Sequence, residues 1–390
     1  MRSTRLALAI VLGAVALSPS AWAQRVELAG RVTASRTVLA QRRAGEARYI
    51  ALSDLFYRDH SAYLEVLDLS AAAGPAVIQI RTRRTLLEKR FGVARGGSVA
   101  PPQGEIVGYR DGVVGIALEE AAGAAGRHYW YAELDAVTGK LVRAADLAVI
   151  YDGEELQIVG ADAAGTAAWF AITRHTAHGR ALVLRRLDLD ALGTHDVQRI
   201  ALAPRGGGRD REHAVRVHAA ANFSRFAVVE YVEDNAGMAP GQVYIADPAT
   251  GASFAVPAPP ATYGVAFSAD GRYVYLGSAQ RGTISRIDVA AGRIDKQVAG
   301  PRFLHHLVIS PGGTKLFALA SAGTYAVYDL PDLKARHDAA HPAGVAAAMV
   351  ELHGHGIASL DGAFFVAPDT EDPRKPAAPD RSYIIARLVE

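Results

Sequence analysis

Three polar side chains in the second half of the sequence, Arg216, Tyr263 and His305, are of types that bind ligands. Tyr263 and His305 are 42 residues apart, and aligning Phe226 with Tyr273 puts Arg216 at the same position one interval earlier. An arginine offers two parallel donors to an anion, and tyrosine and histidine form single hydrogen bonds. If the fold brings the three together, they predict a site for a small polar or anionic ligand. The alternative is that they are ordinary, half-exposed residues at the starts of strands.

Histidines suggest a second kind of site. His353 and His355 are two residues apart, so in a strand they lie on one face, and His305 precedes them by about one interval. Zinc and copper are commonly bound by three or four such ligands. These three histidines are therefore candidate metal ligands, with ordinary surface or hydrogen-bonding histidines as the alternative. The sequence identifies no particular cofactor.

The sequence predicts no catalytic residue. It contains no cysteine, which excludes zinc–thiolate, iron–sulfur and covalently attached c-type haem sites on this chain. The segment 319–323 (LASAG) lacks the first glycine of the G-x-S-x-G elbow that carries the serine nucleophile in many hydrolases. The glycines 206–208 lack the lysine and hydroxyl residue that complete a phosphate-binding loop.

The elements that would position these residues come from an internal repeat. Between Tyr263 and Asp329 one unit is written twice: Ser268 recurs as Ser310 and Asp288 as Asp329, a period of 41 to 42 residues. Each unit divides into four short strands separated by turns, such as Ser-Ala-Asp-Gly after the first strand. Repeats of this length and content predict an all-β fold, a β-propeller.

The end of the third strand can be followed through the whole sequence. Seven such marks are found, at Asp68, Asp135, Asp188, Asp247, Asp288, Asp329 and Ala386. They predict seven four-stranded blades in one propeller domain covering residues 24–390. We expect the early segment 26–32 to pair with the last blade and close the ring, because an open ring would leave strand edges unpaired.

Two segments of the clearest unit carry a family resemblance. Residues 267–278 (FSADGRYVYLGS) and 287–294 (IDVAAGRI) resemble the YVTN-type β-propeller repeat, and more loosely the propeller subunits of bacterial quinoprotein amine dehydrogenases. The resemblance covers about residues 214–334 and implies the fold. The second likeness implies a quinone cofactor on a partner chain, since this chain has no cysteine to form the quinone crosslinks.

The N-terminus predicts export. Arg2 and Arg5 precede an apolar run from Leu6 to Leu17, and residues 21–23 (AWA) form a small-residue cleavage site. We therefore expect a signal peptide at residues 1–23, cut after Ala23, and a periplasmic or secreted protein with no membrane span after cleavage.

Charge argues against nucleic acid as a partner, because 42 basic and 40 acidic residues give a net charge of only +2. The local basic cluster consists of Arg81, Arg83, Arg84, Lys89 and Arg90. We expect it to protect an exposed strand edge against pairing with other chains.

Three functions remain open on this sequence. The first is a periplasmic binding scaffold for a protein partner or a small polar or anionic ligand, without chemistry of its own. The second is the propeller subunit of a quinone-dependent amine dehydrogenase or related electron-transfer complex. The third is a metal-dependent hydrolase or lactonase with its metal at the mouth of the channel.

Overall fold

Seven small antiparallel sheets form a ring in the computed structural model, and the protein is a seven-bladed β-propeller, as predicted. The structure describes residues 25–34, 42–43, 48–95, 98–123, 126–176, 179–203, 212–234, 237–239, 241–320, 324–340, 356–359, 361–368 and 381–389. The first strands of the blades lie innermost: those of blades 3 to 7 line a common channel, and those of blades 1 and 2, β2 and β9, contact other first strands.

The first three blades follow one another along the chain. Strand β1 (Arg25–Ala34) precedes them. Blade 1 contains β2 (Arg42–Arg43), β3 (Tyr49–Ala51), β4 (Phe56–Arg58), β5 (Ser61–Asp68) and β6 (Ala76–Arg83). Next come the helix α1 (Arg84–Phe91) and a hairpin of β7 (Val93–Arg95) and β8 (Ser98–Ala100). Blade 2 contains β9 (Gln103–Arg110), β10 (Val113–Gly123), β11 (Gly126–Asp135) and β12 (Leu141–Ile150). Blade 3 contains β13 (Glu155–Ala161), β14 (Ala167–Thr176), β15 (Gly179–Asp188) and β16 (Thr194–Ala201).

The last four blades include the sequence repeat. Blade 4 contains β17 (Glu212–Ala219), β18 (Phe226–Asp234), β19 (Gly237–Ala239), β20 (Gln242–Ala246) and β21 (Ser253–Pro257). Blade 5 contains β22 (Thr262–Phe267), β23 (Tyr273–Ser278), β24 (Thr283–Asp288) and β25 (Arg293–Ala299). Blade 6 contains β26 (Leu304–Ile309), β27 (Lys315–Ala320), β28 (Thr324–Asp329) and β29 (Lys334–Ala340). Blade 7 contains β30 (Ile357–Ala358), β31 (Phe364–Pro368) and β32 (Arg381–Val389).

The predicted marks lie at or next to the third strand of every blade, and in six blades the residue is an aspartate that organises the following turn. The Asp135 carboxylate accepts the backbone N–H of Thr138 at 2.6 Å, and the Asp188 carboxylate accepts that of Ala191 at 2.8 Å. These backbone hydrogen bonds lower the pKa of both carboxyls. A glycine in the left-handed region ends several of these turns, such as Gly292 at φ 63°. The local sequence therefore sets where each third strand stops.

The hydrophobic core lies between the blades. Strand β23 is buried along its whole length, and its successive side chains face opposite neighbours. Val274 packs in one cluster with Val229 and Ile245 of blade 4. Tyr275 packs in another with Leu316 and Ala318 of blade 6. Each middle strand thus joins its own blade to both adjacent blades.

The basic cluster is only partly the strand edge that we expected. Arg81 and Arg83 are exposed on β6, the outer strand of blade 1, in agreement with that expectation. Arg84, Lys89 and Arg90 instead belong to α1, whose Leu87 and Phe91 are buried. The sequence signal for this helix is weak, because the helix is only eight residues long and no side chain caps its N-terminus.

The N-terminal strand closes the ring, as predicted. Strand β1 pairs antiparallel with β32, from Arg25 opposite Val389 to Ala34 opposite Arg381, and so becomes the fourth strand of blade 7. The predicted signal peptide, residues 1–23, lies outside the described residues. In the described part of the chain, no helix has the length and apolar character needed to cross a membrane.

Candidate ligand-binding channel

The inner strands enclose a cavity of about 580 Å³ along the propeller axis. Its walls come from β13, β17, β22, β26 and β30, with Arg127 and Tyr129 of β11 at the side. This volume is within the range usual for small-molecule sites. The channel is therefore large enough for a small ligand.

Arg216, Tyr263 and His305 all line this cavity, on the inner strands of blades 4, 5 and 6. The Tyr263 and His305 rings are stacked, with 5.0 Å between their centroids and 15° between their planes. The geometry thus brings the three side chains to one channel, and their role in binding stays a prediction.

Local backbone features of blades 5 and 6 place Tyr263 and His305. Each residue sits at a break in strand register, between Thr262 and Gly264 in β22 and between Leu304 and His306 in β26. A β-bulge inserts an unpaired residue and redirects its side chain. The residue two positions earlier is left-handed in both blades: Ala261 has φ 52° and Phe303 has φ 58°. This backbone state is unusual for residues with a side chain. The same strained entry therefore positions both rings.

The alignment that selected Arg216 was wrong by one residue. The Ala220 N–H donates to the Arg225 carbonyl at 2.9 Å, as the Ser268 N–H does to the Tyr273 carbonyl. Arg225, and not Phe226, is therefore the equivalent of Tyr273. The error came from matching two aromatic residues, Phe226 and Tyr273, each of which is the first residue of its strand.

With this correction Arg216 is equivalent to Gly264 and His306, and Val215 is equivalent to Thr262 and Leu304. Tyr263 and His305 are the extra residues of the two bulges and have no counterpart in β17. A Cβ at position 264 would lie 3.0 Å from the Leu307 side chain and 3.1 Å from its backbone nitrogen, so the close packing there favours glycine. Arg216 occupies a more open version of the same position and is exposed.

Sequence reasoning missed Tyr231, which lies beside the predicted residues. Its ring stacks on Tyr263, with 5.7 Å between centroids, and the Arg216 guanidinium carbon is 5.4 Å from the centroid of the Tyr231 ring. Arg216, Tyr231, Tyr263 and His305 therefore form a continuous row across three blades. In the sequence Tyr231 is marked only by its place in the second strand of a blade, and every blade has such a strand.

The channel wall carries a modest positive charge. Its formally charged residues are Arg127, Glu155 and Arg216, and its histidines are His218, His305 and His306. Arg127 donates to the Glu154 carbonyl at 3.1 Å and lies 3.7 Å from the Glu119 carboxylate. Within the described residues, no carboxylate lies within ion-pair distance of Arg216. Its charge thus remains available to an anion in the channel.

One of the three candidate metal ligands lies in the described part of the chain. His305 lines the channel, whereas His353 and His355 lie outside the described residues. Among the residues that are described, no three histidine, aspartate or glutamate side chains are grouped so that they could hold a metal ion. The three-histidine site stays a prediction.

A smaller cavity of about 150 Å³ lies between blades 2 and 3. Glu133 lines it and is already engaged by Arg143, at 2.6 and 2.9 Å, and by the Tyr131 hydroxyl at 3.2 Å. Burial and the adjacent Glu133 carboxylate raise the pKa of Tyr131. These contacts bind the charged groups to each other, which is typical of a structural cluster.

Comparison with known proteins adds evidence on the fold. No protein-family model and no curated protein matches the sequence. Among solved structures, a chain of the mitotic checkpoint complex matches over 100% of both chains with a TM-score of 0.51 and 10% identity. Apo AztD from Citrobacter koseri has a TM-score of 0.43 at 15% identity, covering 74% of this chain and 71% of that chain. A second structure of Citrobacter koseri AztD has a TM-score of 0.43 at 14% identity, with 75% and 71% covered. At these identities the likeness concerns the fold alone.

Proposed function

We propose that the protein is an exported binding scaffold that holds a small polar or anionic ligand in its central channel. The observation that carries the proposal is the position of Arg216, Tyr263 and His305 in one channel of about 580 Å³. Arg216 supplies an anion-binding guanidinium, and the two stacked rings supply hydrogen-bonding groups.

The expected location and family belong to the same proposal. The N-terminal sequence supports export to the periplasm or outside the cell, with residues 24–390 as the mature propeller. The repeat-like segments of blade 5 support a YVTN-type propeller. A protein partner that docks on the propeller is compatible with ligand binding, since propellers present loops at both ends of the channel.

Calorimetric titration of the mature protein tests the proposal. The titrants are succinate, glutamate, inorganic phosphate and glucose, which cover anionic, zwitterionic and neutral polar chemistry. We expect saturable binding of at least one of them, weakened about tenfold or more by Arg216→Gln, Tyr263→Ala or His305→Ala. Arg293→Gln is the matched control, because Arg293 is an exposed arginine on the outer strand of blade 5.

Two results would overturn the proposal: no saturable binding of any of the four titrants, or unchanged affinity in all three channel variants. Metal analysis and an absorption spectrum of the same sample test the alternatives. Stoichiometric metal that is lost in His305→Ala would favour the metal-dependent hydrolase, and a co-purified chain with quinone absorbance would favour the dehydrogenase subunit.

A further inference from the structure

Two side chains of opposite charge, Glu155 and Arg216, line the channel on neighbouring inner strands. Both are exposed, and the strands that carry them, β13 and β17, contact each other. Among the described residues, no cation lies within ion-pair distance of Glu155, as no carboxylate does of Arg216. One cavity therefore contains an anion and a cation that the described part of the protein leaves unpaired.

The side-chain amide of Gln157 lines the same cavity and has a defined orientation. Its Oε1 accepts the Val217 N–H at 3.0 Å, and a backbone N–H can only donate, so the amide oxygen must face β17. The NH2 group of this amide donates to no acceptor in the described part of the chain. Because Gln157 lines the cavity, these two donors are available to a ligand.

The three side chains follow one another along the channel wall. Glu155 and Gln157 belong to an unbroken stretch of pairing between β13 and β14, so they lie on one face of β13 with their Cα atoms about 6–7 Å apart. The Gln157 amide in turn touches the peptide group between Arg216 and Val217. Gln157 therefore lies between the carboxylate of Glu155 and the strand that carries Arg216.

This wall fits a ligand that carries both charges. A carboxylate accepts hydrogen bonds from the Arg216 guanidinium and from the Gln157 NH2 group. An ammonium group has only donors and a positive charge, and so matches the Glu155 carboxylate. A second negative charge on the ligand would be repelled by Glu155.

We infer that the channel ligand is a small zwitterion, an ω-amino acid, with its carboxylate on Arg216 and Gln157 and its ammonium group on Glu155. This inference rests on the proposed function and narrows its ligand class. Glutamate and glutamine side chains are equally long, so their ends on β13 are separated about as widely as their Cα atoms. That separation matches charges several bonds apart, as in extended γ-aminobutyrate, and exceeds the separation in an α-amino acid.

Calorimetric titration of the mature protein with a matched pair of compounds tests the ligand class. γ-Aminobutyrate and glutarate share a carboxylate and a spacer of three methylene groups, and they differ only in an ammonium group against a second carboxylate. We expect γ-aminobutyrate to bind about tenfold or more tightly than glutarate, because Glu155 attracts one end group and repels the other. Glycine should bind more weakly than γ-aminobutyrate, since its charges are too close together to reach both contacts.

Two isosteric substitutions separate the contacts. Glu155→Gln removes the negative charge, so it should weaken γ-aminobutyrate binding about tenfold or more and strengthen glutarate binding. Gln157→Glu keeps an oxygen for the Val217 N–H but replaces the two NH2 donors, so it should weaken binding of both compounds. Asp152→Asn is the matched control, because Asp152 is exposed just before β13 and does not line the cavity. It should change neither affinity, and all three variants should keep the melting temperature of the unchanged protein.

Failure of the zwitterion and failure of the channel site give different results. If glutarate or glycine binds at least as tightly as γ-aminobutyrate, or if Glu155→Gln leaves γ-aminobutyrate binding unchanged, the zwitterion is wrong. The same holds if only phosphate or glucose binds. In each of these cases the channel site stands as long as Arg216→Gln weakens the binding that is observed. If no compound binds, or if none of the channel variants changes binding, the proposed function itself is wrong.

Discussion

The ion pair between Arg180 and Glu230 lies at the boundary between blades 3 and 4, out of contact with water. Both side chains are 4% exposed, and the guanidinium nitrogen is 3.1 Å from the carboxylate oxygen. The Tyr244 hydroxyl donates to the other carboxylate oxygen at 3.1 Å. Burial raises the pKa of Glu230, and the Tyr244 hydrogen bond and the Arg180 charge oppose that rise. A buried charge of this kind is stable only while its partner is present.

Replacing Arg180 by leucine should therefore destabilise the protein by about 3–5 kcal/mol at neutral pH, because Glu230 keeps a buried charge without its cation. The loss of Arg180 raises the pKa of Glu230 further. Since the folded state of the variant then holds its proton more tightly than the unfolded state, the variant gains stability as the pH falls through the raised pKa. The cost of the substitution should thus shrink on acidification, which urea unfolding of both proteins at several pH values measures.

Two further variants serve as controls for this prediction. Adding Glu230→Leu should restore most of the lost stability, because no charge then remains in the boundary. The Arg84→Leu substitution breaks the partly exposed pair with Glu88 on α1 and should cost about 1 kcal/mol or less. If Arg180→Leu and Arg84→Leu lowered the free energy of unfolding equally, the buried pair would contribute no more to stability than the exposed one.

At the scale of the element, the middle strand of each blade carries most of the packing. Strand β23 alternates between the clusters of blades 4 and 6, and all six of its residues are buried. Valine and aromatic residues suit such a strand, because they pack well on a pleated surface that is covered on both sides. The strand therefore tolerates neither charge nor a change of register.

Replacing Val274 by aspartate should unfold the protein or destabilise it by about 4 kcal/mol or more, because the carboxylate would lie unpaired among Val229, Val243 and Ile245. Ala299→Asp is the control, since Ala299 is exposed on the outer strand of the same blade. Thermal unfolding followed by circular dichroism measures both variants. If the Val274→Asp protein had the same melting temperature as the unchanged protein, the side chain at position 274 would lie outside the core.

The repeat predicted these elements well because turns obey local rules. Asp288 and Gly292 specify their turn through short-range hydrogen bonds and a left-handed backbone, so sequence alone located the third strand of each blade. In the less regular early blades, Asp68 and Asp135 also accept backbone N–H groups of the turns that follow them. The prediction of seven blades followed from this regularity, and the prediction of ring closure followed from the need to pair exposed strand edges.

The candidate site was harder to predict because it depends on irregularities. The bulges at Tyr263 and His305 shift the register of two inner strands, and no residue type announces a bulge. The alignment of Arg216 failed for a separate reason, since it matched Phe226 with Tyr273 where Arg225 is the equivalent residue, yet all three side chains line one channel. Tyr231 was missed because its contacts with Tyr263 and Arg216 depend on how the blades pack, which the local sequence does not show.

At the scale of the whole molecule, the ring depends on one strand taken from the opposite end of the chain. Strand β1 completes blade 7, and its residues Ala29, Val32 and Ala34 pack in a cluster with Ile50 and Leu67 of blade 1. The same cluster includes Tyr383 and Ile385 of blade 7. The first and last blades are thus joined by apolar packing as well as by the β1–β32 ladder.

Removing residues 1–34 should therefore destabilise the ring by several kcal/mol relative to a protein that begins at residue 24, because apolar surface and the edge of β32 become exposed. The exposed edge should also cause concentration-dependent association, which sedimentation velocity measures alongside the melting temperature. A synthetic peptide of residues 25–34 added to the shortened protein should raise its melting temperature and reduce association, and a scrambled peptide should do neither. If the shortened protein instead stays monomeric and melts with the longer one, the pairing of β1 with β32 contributes little, and the contacts between blades 1 and 7 alone hold the ring closed.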